Sequence, residues 1–122
     1  YNGERLGFNI FKEVVNRVER KYPEVLWMKL SEIARYWAAK ELTTMEATAN
    51  GLQLTAPFAT ERFTVKIGKQ MKAPALTHDG ESRPLKRVAN REVLTAGTWM
   101  TTGEAMICCF DLPRGTSRLE EA

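Results

Sequence analysis

The chain has 122 residues, 43% of them hydrophobic, enough for a packed core of one domain or of a small domain with an appendage. Its net charge of +3 is spread evenly: residues 1–42 carry eight Lys/Arg against six Asp/Glu, and residues 43–122 carry ten against nine. Neither part has the basic field of a nucleic-acid binder, and Arg83, Lys86 and Arg87 are too small a cluster to make one.

The two cysteines, Cys108 and Cys109, are adjacent. In a strand their side chains leave opposite faces, so an ordinary disulfide between them is geometrically poor. They do not settle the redox compartment. No apolar run reaches the length of a membrane span.

The hydrophobic period is helical before about residue 43 and strand-like after it. Phe8, Phe11, Val15, Val18 and Tyr22 recur at three and four residues, with polar residues opposite, predicting an amphipathic helix over about 8–21. Pro23 stops it. Val25–Met28 is a short apolar run suited to a buried strand. Ser31 stands where an N-cap belongs, ahead of a second helix over about 32–42 with Leu30, Ile33, Ala34, Trp37 and Ala38 on one face. Trp27 and Trp37 read as core on this pattern.

From Thr43 on, turn residues punctuate short alternating segments. Asn50-Gly51 between residues 45–49 and 52–56 predicts a hairpin with a type I′ turn. Phe63, Val65 and Ile67 alternate with polar residues as a half-buried strand does, and Asp79-Gly80 marks another turn. Residues 91–97 and 98–102 read as strands. Ala105–Phe110, apolar on both faces, belongs in the middle of a sheet. Residues 117–122 read as a fraying tail. The fold class expected is α+β: a helix-strand-helix segment over 1–42 followed by an antiparallel β-sandwich over 43–122, with six to eight strands.

Catalytic groups are sparse. His78, the sole histidine, stands beside Asp79 and reads either as an acid/base or metal pair or as a polar hairpin tip. Ser31, Ser82 and Ser117 lie outside any nucleophile elbow. A Cys109–His78 pair competes with inert packing of the thiols in a strand core. Glu104 and Asp111 flank one strand and stand too far apart for a glycosidase pair. Glu46, Glu61 and Glu92 are scattered and read as solvated. Trp99, Phe58 and Phe63 are the candidate ligand-binding rings, and Trp99 reads either as a sugar-stacking platform or as a wedge in a core or seam. No catalytic residue, metal ligand or cofactor site is assigned.

Two stretches carry a resemblance. Phe11-Lys12-Glu13-Val14-Val15, continuing through Val25-Leu26-Trp27-Met28-Lys29-Leu30-Ser31-Glu32-Ile33-Ala34-Arg35-Tyr36-Trp37, resembles the end of a polysaccharide-deacetylase-like catalytic barrel. Gly97-Thr98-Trp99 and Ile107–Gly115 are similar to the closing strands of β-sandwiches appended to carbohydrate-active enzymes. That family's Asp-Asp metal pair and His-x-x-x-His ligands have no counterpart here, and the resemblance puts them upstream of Tyr1. It implies a bacterial-type carbohydrate-processing parent and a non-catalytic accessory domain. The partners implied are the catalytic domain of the same polypeptide and a glycan. An unpaired barrel segment implies a homodimer through residues 1–42. Two other readings stay open: an independent carbohydrate-binding module using Trp99, and a small hydrolase using His78 and Asp79.

Overall fold

The computed structural model describes residues 3–122; the first two residues of the expected 1–42 segment lie outside them. Among the described residues there are two α-helices and nine strands, an α+β fold rich in sheet. The chain divides into two compact units between Leu30 and Ser31.

The first unit holds helix α1, Gly3–Lys21. It ends at the Pro23 turn, where the Val25 N–H donates to the Tyr22 carbonyl at 3.0 Å. Leu6, Ile10, Val14 and Val18 follow one another at four-residue steps, with Phe8, Phe11, Val15 and Tyr22 beside them. At 3.6 residues per turn these side chains occupy about 200° of the circumference. Val25–Met28 is not the expected strand: it has no regular secondary structure and no ladder. A lone strand leaves its backbone groups unpaired, and no described strand lies alongside to take them. The segment bends back locally, and the Trp27 indole N–H donates to Glu19 Oε1 at 3.0 Å.

The second unit opens in helix α2, Leu30–Leu42. Ser31 lies inside its first turn and does not cap it. The helix is two-faced. Tyr36 stacks obliquely on Phe63, ring centroids 6.3 Å apart, Ala39 is buried, and Arg35 Nη2 donates to the Ala59 carbonyl at 3.1 Å. Its other side carries exposed Ile33 and Trp37. Trp27 and Trp37 are therefore surface residues of this chain, at 53% and 65% exposure, not core. The apolar face on which both readings rested is real, and nothing described covers it.

Nine strands follow: β1 Thr44–Ala47, β2 Gly51–Ala56, β3 Thr60–Ile67, β4 Pro74–His78, β5 Glu81–Pro84, β6 Lys86–Arg87, β7 Thr98–Thr102, β8 Ala105–Leu112 and β9 Gly115–Glu121. One sheet runs β1-β2-β9-β4-β5 and the other β3-β8-β7-β6. All pairs are antiparallel except β6 with β7. The alternating apolar positions of both sheets meet in one core: Leu54 and Leu119 from the first, Phe63, Val65, Cys108 and Phe110 from the second. Three strand pairs turn the corner between sheets, β2 into β3, β5 into β6 and β8 into β9. Leu85 marks one corner, its N–H donating to the Pro74 carbonyl while the next N–H, of Lys86, reaches the carbonyl of Gly97, the residue before β7 of the other sheet.

The sequence places β8 centrally, and it is: five consecutive residues, Met106–Phe110, are buried. Residues 91–97 are not a strand. Arg91–Val93 form a 3₁₀ turn capped by Asn90, whose side chain accepts from the Val93 N–H. Residues 117–122 are not a fraying tail. Most of them belong to β9, which pairs with β2 on one side and β4 on the other. Its alternation, Ser117 and Leu119 in and Arg118 and Glu120 out, is that of a half-buried strand.

The two turns invert the expectation about their chemistry. Asp79 and Gly80 have φ of 48° and 82°, the pair of positive values a type I′ hairpin needs. Asn50 and Gly51 have none. The first hairpin closes around Ala49 and Asn50, with the Thr48 N–H on the Gly51 carbonyl, and Gly51 is already in β2 opposite Glu120. Its glycine requirement is steric: a Cβ there would lie inside the van der Waals radius of the Leu119 carbonyl oxygen. Gly51→Ala must push β2 off β9 and is expected to cost about 3 kcal/mol, read as a lower urea midpoint. A midpoint unchanged from the parent chain would show that the two strands separate freely here.

Candidate functional site

The candidate rings do not form a sugar platform. Trp99 and Phe63 are each only 4% exposed and belong to the core. Trp99 sits on β7 with its ring capped by the Arg87 guanidinium, 5.4 Å from the centroid, because β6 and β7 pair Arg87 with Trp99 in register. Phe58 is half-buried at the β2–β3 corner, packs against the core, and has Arg35 over its ring at 5.7 Å. Stacking a pyranose needs an open ring face, and these three faces are taken by neighbours.

His78 is more engaged than a hairpin tip requires. Its Nε2 lies 3.2 Å from Asp79 Oδ2, and its Nδ1 lies 3.0 Å from the Thr116 carbonyl and 3.1 Å from Ser117 Oγ. The β4–β9 register opposes His78 to Ser117 and creates this contact across 39 residues of chain. An Asp-His-Ser chain of contacts has the residue types of acyl-transfer catalysis, yet Ser117 is 0% exposed. A hydroxyl enclosed in a sheet cannot meet a substrate carbonyl. The same Nδ1 also faces the Thr116 carbonyl, which accepts a ring N–H and leaves no lone pair there to deprotonate the serine. The imidazole's role is structural: it is the hydrogen-bond partner of a buried hydroxyl.

The other candidates are equally occupied. Asp111 Oδ1 accepts the Arg62 N–H at 2.9 Å, holding a bulge in β3 where Arg62 has a φ of 50°. Glu121, not singled out from the sequence, accepts N–H donors from Lys72 and Ala73 and ties the 68–73 loop to β9. No local signal marks either carboxylate, since each partner is 48 or 49 residues away. Both cysteines are buried, and burial, with the neighbouring Cys109 thiol, pushes Cys108 up to about 12. Glu46, Glu61 and Glu92 are exposed. Among the described residues no group of three or more His, Cys, Asp or Glu could hold a metal ion, and no helix is long and apolar enough to cross a membrane.

What remains open is apolar surface. In α1, Leu6, Phe8, Ile10, Phe11 and Val14 are each more than half exposed, with only Val15 and Val18 partly covered. Leu26, in the segment between the helices, reaches 77%. On α2 Leu30, Ile33, Trp37 and Leu42 are exposed. Soluble proteins scatter single apolar residues on their surfaces, but contiguous sets of this kind mark contact with another body.

No protein-family model, curated protein or solved structure matches the chain.

Two outcomes test the structural reading of the buried polar groups. His78→Ala strands the Ser117 hydroxyl and is expected to lower stability by about 1–3 kcal/mol. Adding Ser117→Ala should recover part of that loss, in a urea-unfolding double-mutant cycle. The raised Cys108 thiol sets a pH window. Its ordinary value near 9 applies to the unfolded chain, which alone ionises between about 9 and about 12. The unfolded state then binds fewer protons, so this contribution leaves stability flat below pH 9 and lowers it as pH rises through that window. Cys108→Ala should flatten the alkaline limb of the stability–pH curve.

Proposed function

We propose that this chain is a non-catalytic accessory domain of a carbohydrate-processing enzyme, and that its apolar helical surfaces dock on the enzyme's catalytic domain. The observation that carries the reading is the exposed apolar set of residues 5–37, with Phe8, Phe11, Trp27 and Trp37 all more than half exposed. An amphipathic helix draws most of its stability from burying its apolar face. In α1 that face is open, so the reading requires another body to cover it.

The arc of about 200° on α1 is wider than the seam a single partner helix covers. It suits a helix set into a larger body, with a sheet beneath it and neighbours at its sides. Val25–Met28, apolar throughout with no described strand beside it, suits addition to such a sheet. The resemblance of residues 11–37 to the end of a polysaccharide-deacetylase-like barrel names the kind of body. Non-catalytic standing is supported by the engagement of His78, Ser117 and Asp111 in structural bonds.

The isolated chain should be inert toward acetylated chito-oligomers and aryl glycosides. It should also self-associate through its uncovered face. Sedimentation should give concentration-dependent dimers or larger species, shifted to monomer by Phe8→Asp with Phe11→Asp, while the sandwich melts unchanged. Turnover abolished by mutating a residue of this chain would sink the non-catalytic reading. A strictly monomeric parent chain that binds no hydrophobic dye would sink the docking surface.

A further inference from the structure

The stitching of the 68–73 loop leaves a hollow of about 430 Å³ lined by Asn50, Lys69, Gln70, Met71, Glu120 and Glu121. Its volume lies in the range of small-ligand sites, roughly 300–1,000 Å³. It sits where the β1–β2 hairpin loop, the 68–73 loop and the end of β9 meet. Each wall is held. The Glu121 carboxylate accepts the Ala73 N–H at 2.9 Å and the Lys72 N–H at 3.0 Å. Lys69 Nζ donates to the Ala49 carbonyl at 2.8 Å, joining the loop to the hairpin. The β2–β9 register sets Gly51 opposite Glu120, and the missing Cβ lets the hairpin approach that closely.

The groups that hold the walls are distinct from those left to a ligand. Among the described residues the side-chain amides of Asn50 and Gln70 and the carboxylate of Glu120 make no hydrogen bond or ion pair. Each amide offers donors and an acceptor, the carboxylate offers acceptors, and the Lys69 ammonium keeps two N–H donors after its bond to Ala49. The lining holds one ammonium, Lys69, and two carboxylates, of which Glu121 already accepts backbone donors, so one cationic donor group and one uncommitted carboxylate, that of Glu120, are left to a ligand. A strongly anionic ligand meets two carboxylates against one ammonium, and a strongly cationic one meets the Lys69 ammonium in the same lining. A ligand carrying several neutral hydroxyls, each able to donate and accept, matches this set.

We propose that this hollow binds a neutral, hydroxyl-rich ligand, a single sugar unit of a glycan. The proposal shares the carbohydrate context proposed above but uses none of the helical surface. Loop ordering is already met by Glu121 and Lys69, so binding does not bear that entropy cost. With no ring to stack on, affinity comes from hydrogen bonds and falls in the millimolar range.

The test is a ¹⁵N–¹H titration of the full chain with neutral trisaccharides: cellotriose, chitotriose, xylotriose and mannotriose. At least one should produce saturable shifts at Asn50, Lys69, Gln70, Met71 and Glu120. Asn50→Ala and Gln70→Ala remove exposed side chains without partners, so both should fold, and each should weaken binding about tenfold. No saturable shift with any of the four would overturn the proposal. So would shifts confined to other residues, or shifts that both variants leave intact. Docking is read from self-association through residues 5–37, and either experiment can fail while the other succeeds.

Discussion

One two-stranded ribbon holds the β-rich unit together. It runs β2 into β3 against β9 into β8, pairing Ala56 with Gly115 in one sheet and Thr60 with Leu112 in the other. The two strands turn the corner side by side, so both sheets hang on the same ladder. Leu54 and Leu119 point into the core from one half of it, Phe63 and Phe110 from the other. Much else depends on its register. It places Ser117 beside His78, Glu121 beside Lys72 and Ala73, Asp111 beside the bulge at Arg62, and Glu120 beside Gly51. A slip of one residue would turn Leu119 to solvent and Arg118 into the core.

The same ladder explains why residue types suggestive of chemistry are enclosed or engaged in structural bonds here. A β-sandwich has its inner faces to bury, and Trp99, Phe63 and Cys108 lie there. The polar residues that meet at the rims do so by satisfying backbone donors or a buried hydroxyl, as the cost of an unmade hydrogen bond requires. Functional capacity is left to surfaces that the sandwich does not consume: a polar hollow with unspent amides, and an apolar helical face.

The two units differ in what sustains them. The sandwich carries its own core and its own caps. Residues 5–30 have no fully buried side chain, and an amphipathic helix draws most of its stability from burying its apolar face. The chain therefore joins a body with its own core to a segment whose apolar face is open, and the docking proposed above rests on that difference.

Local chemistry was enough to read the elements whose signal is periodic. Phe8 to Tyr22 announced α1, the alternation of Phe63, Val65 and Ile67 announced β3, and the apolar run 105–110 announced a central strand. Asp79-Gly80 announced a turn because two positive φ values are a requirement of adjacent residues alone. Other readings failed for lack of a partner that sequence does not show. Residues 117–122 look like a polar tail until β2 and β4 flank them, and Val25–Met28 looks like a strand until no described neighbour pairs with it. Gly51 looked like half of a turn, but its need for glycine comes from the Leu119 carbonyl across the ladder. Trp99 looked open to either a ligand or a core until Arg87 and the second sheet enclosed it. By itself the sequence determined the two helices, the strands with clear alternation and which residues are apolar, because those follow from neighbours two to four positions away. Only tertiary structure decided which faces are covered, which polar groups are spent and which remain free, because those depend on contacts between residues from about a dozen to more than forty positions apart.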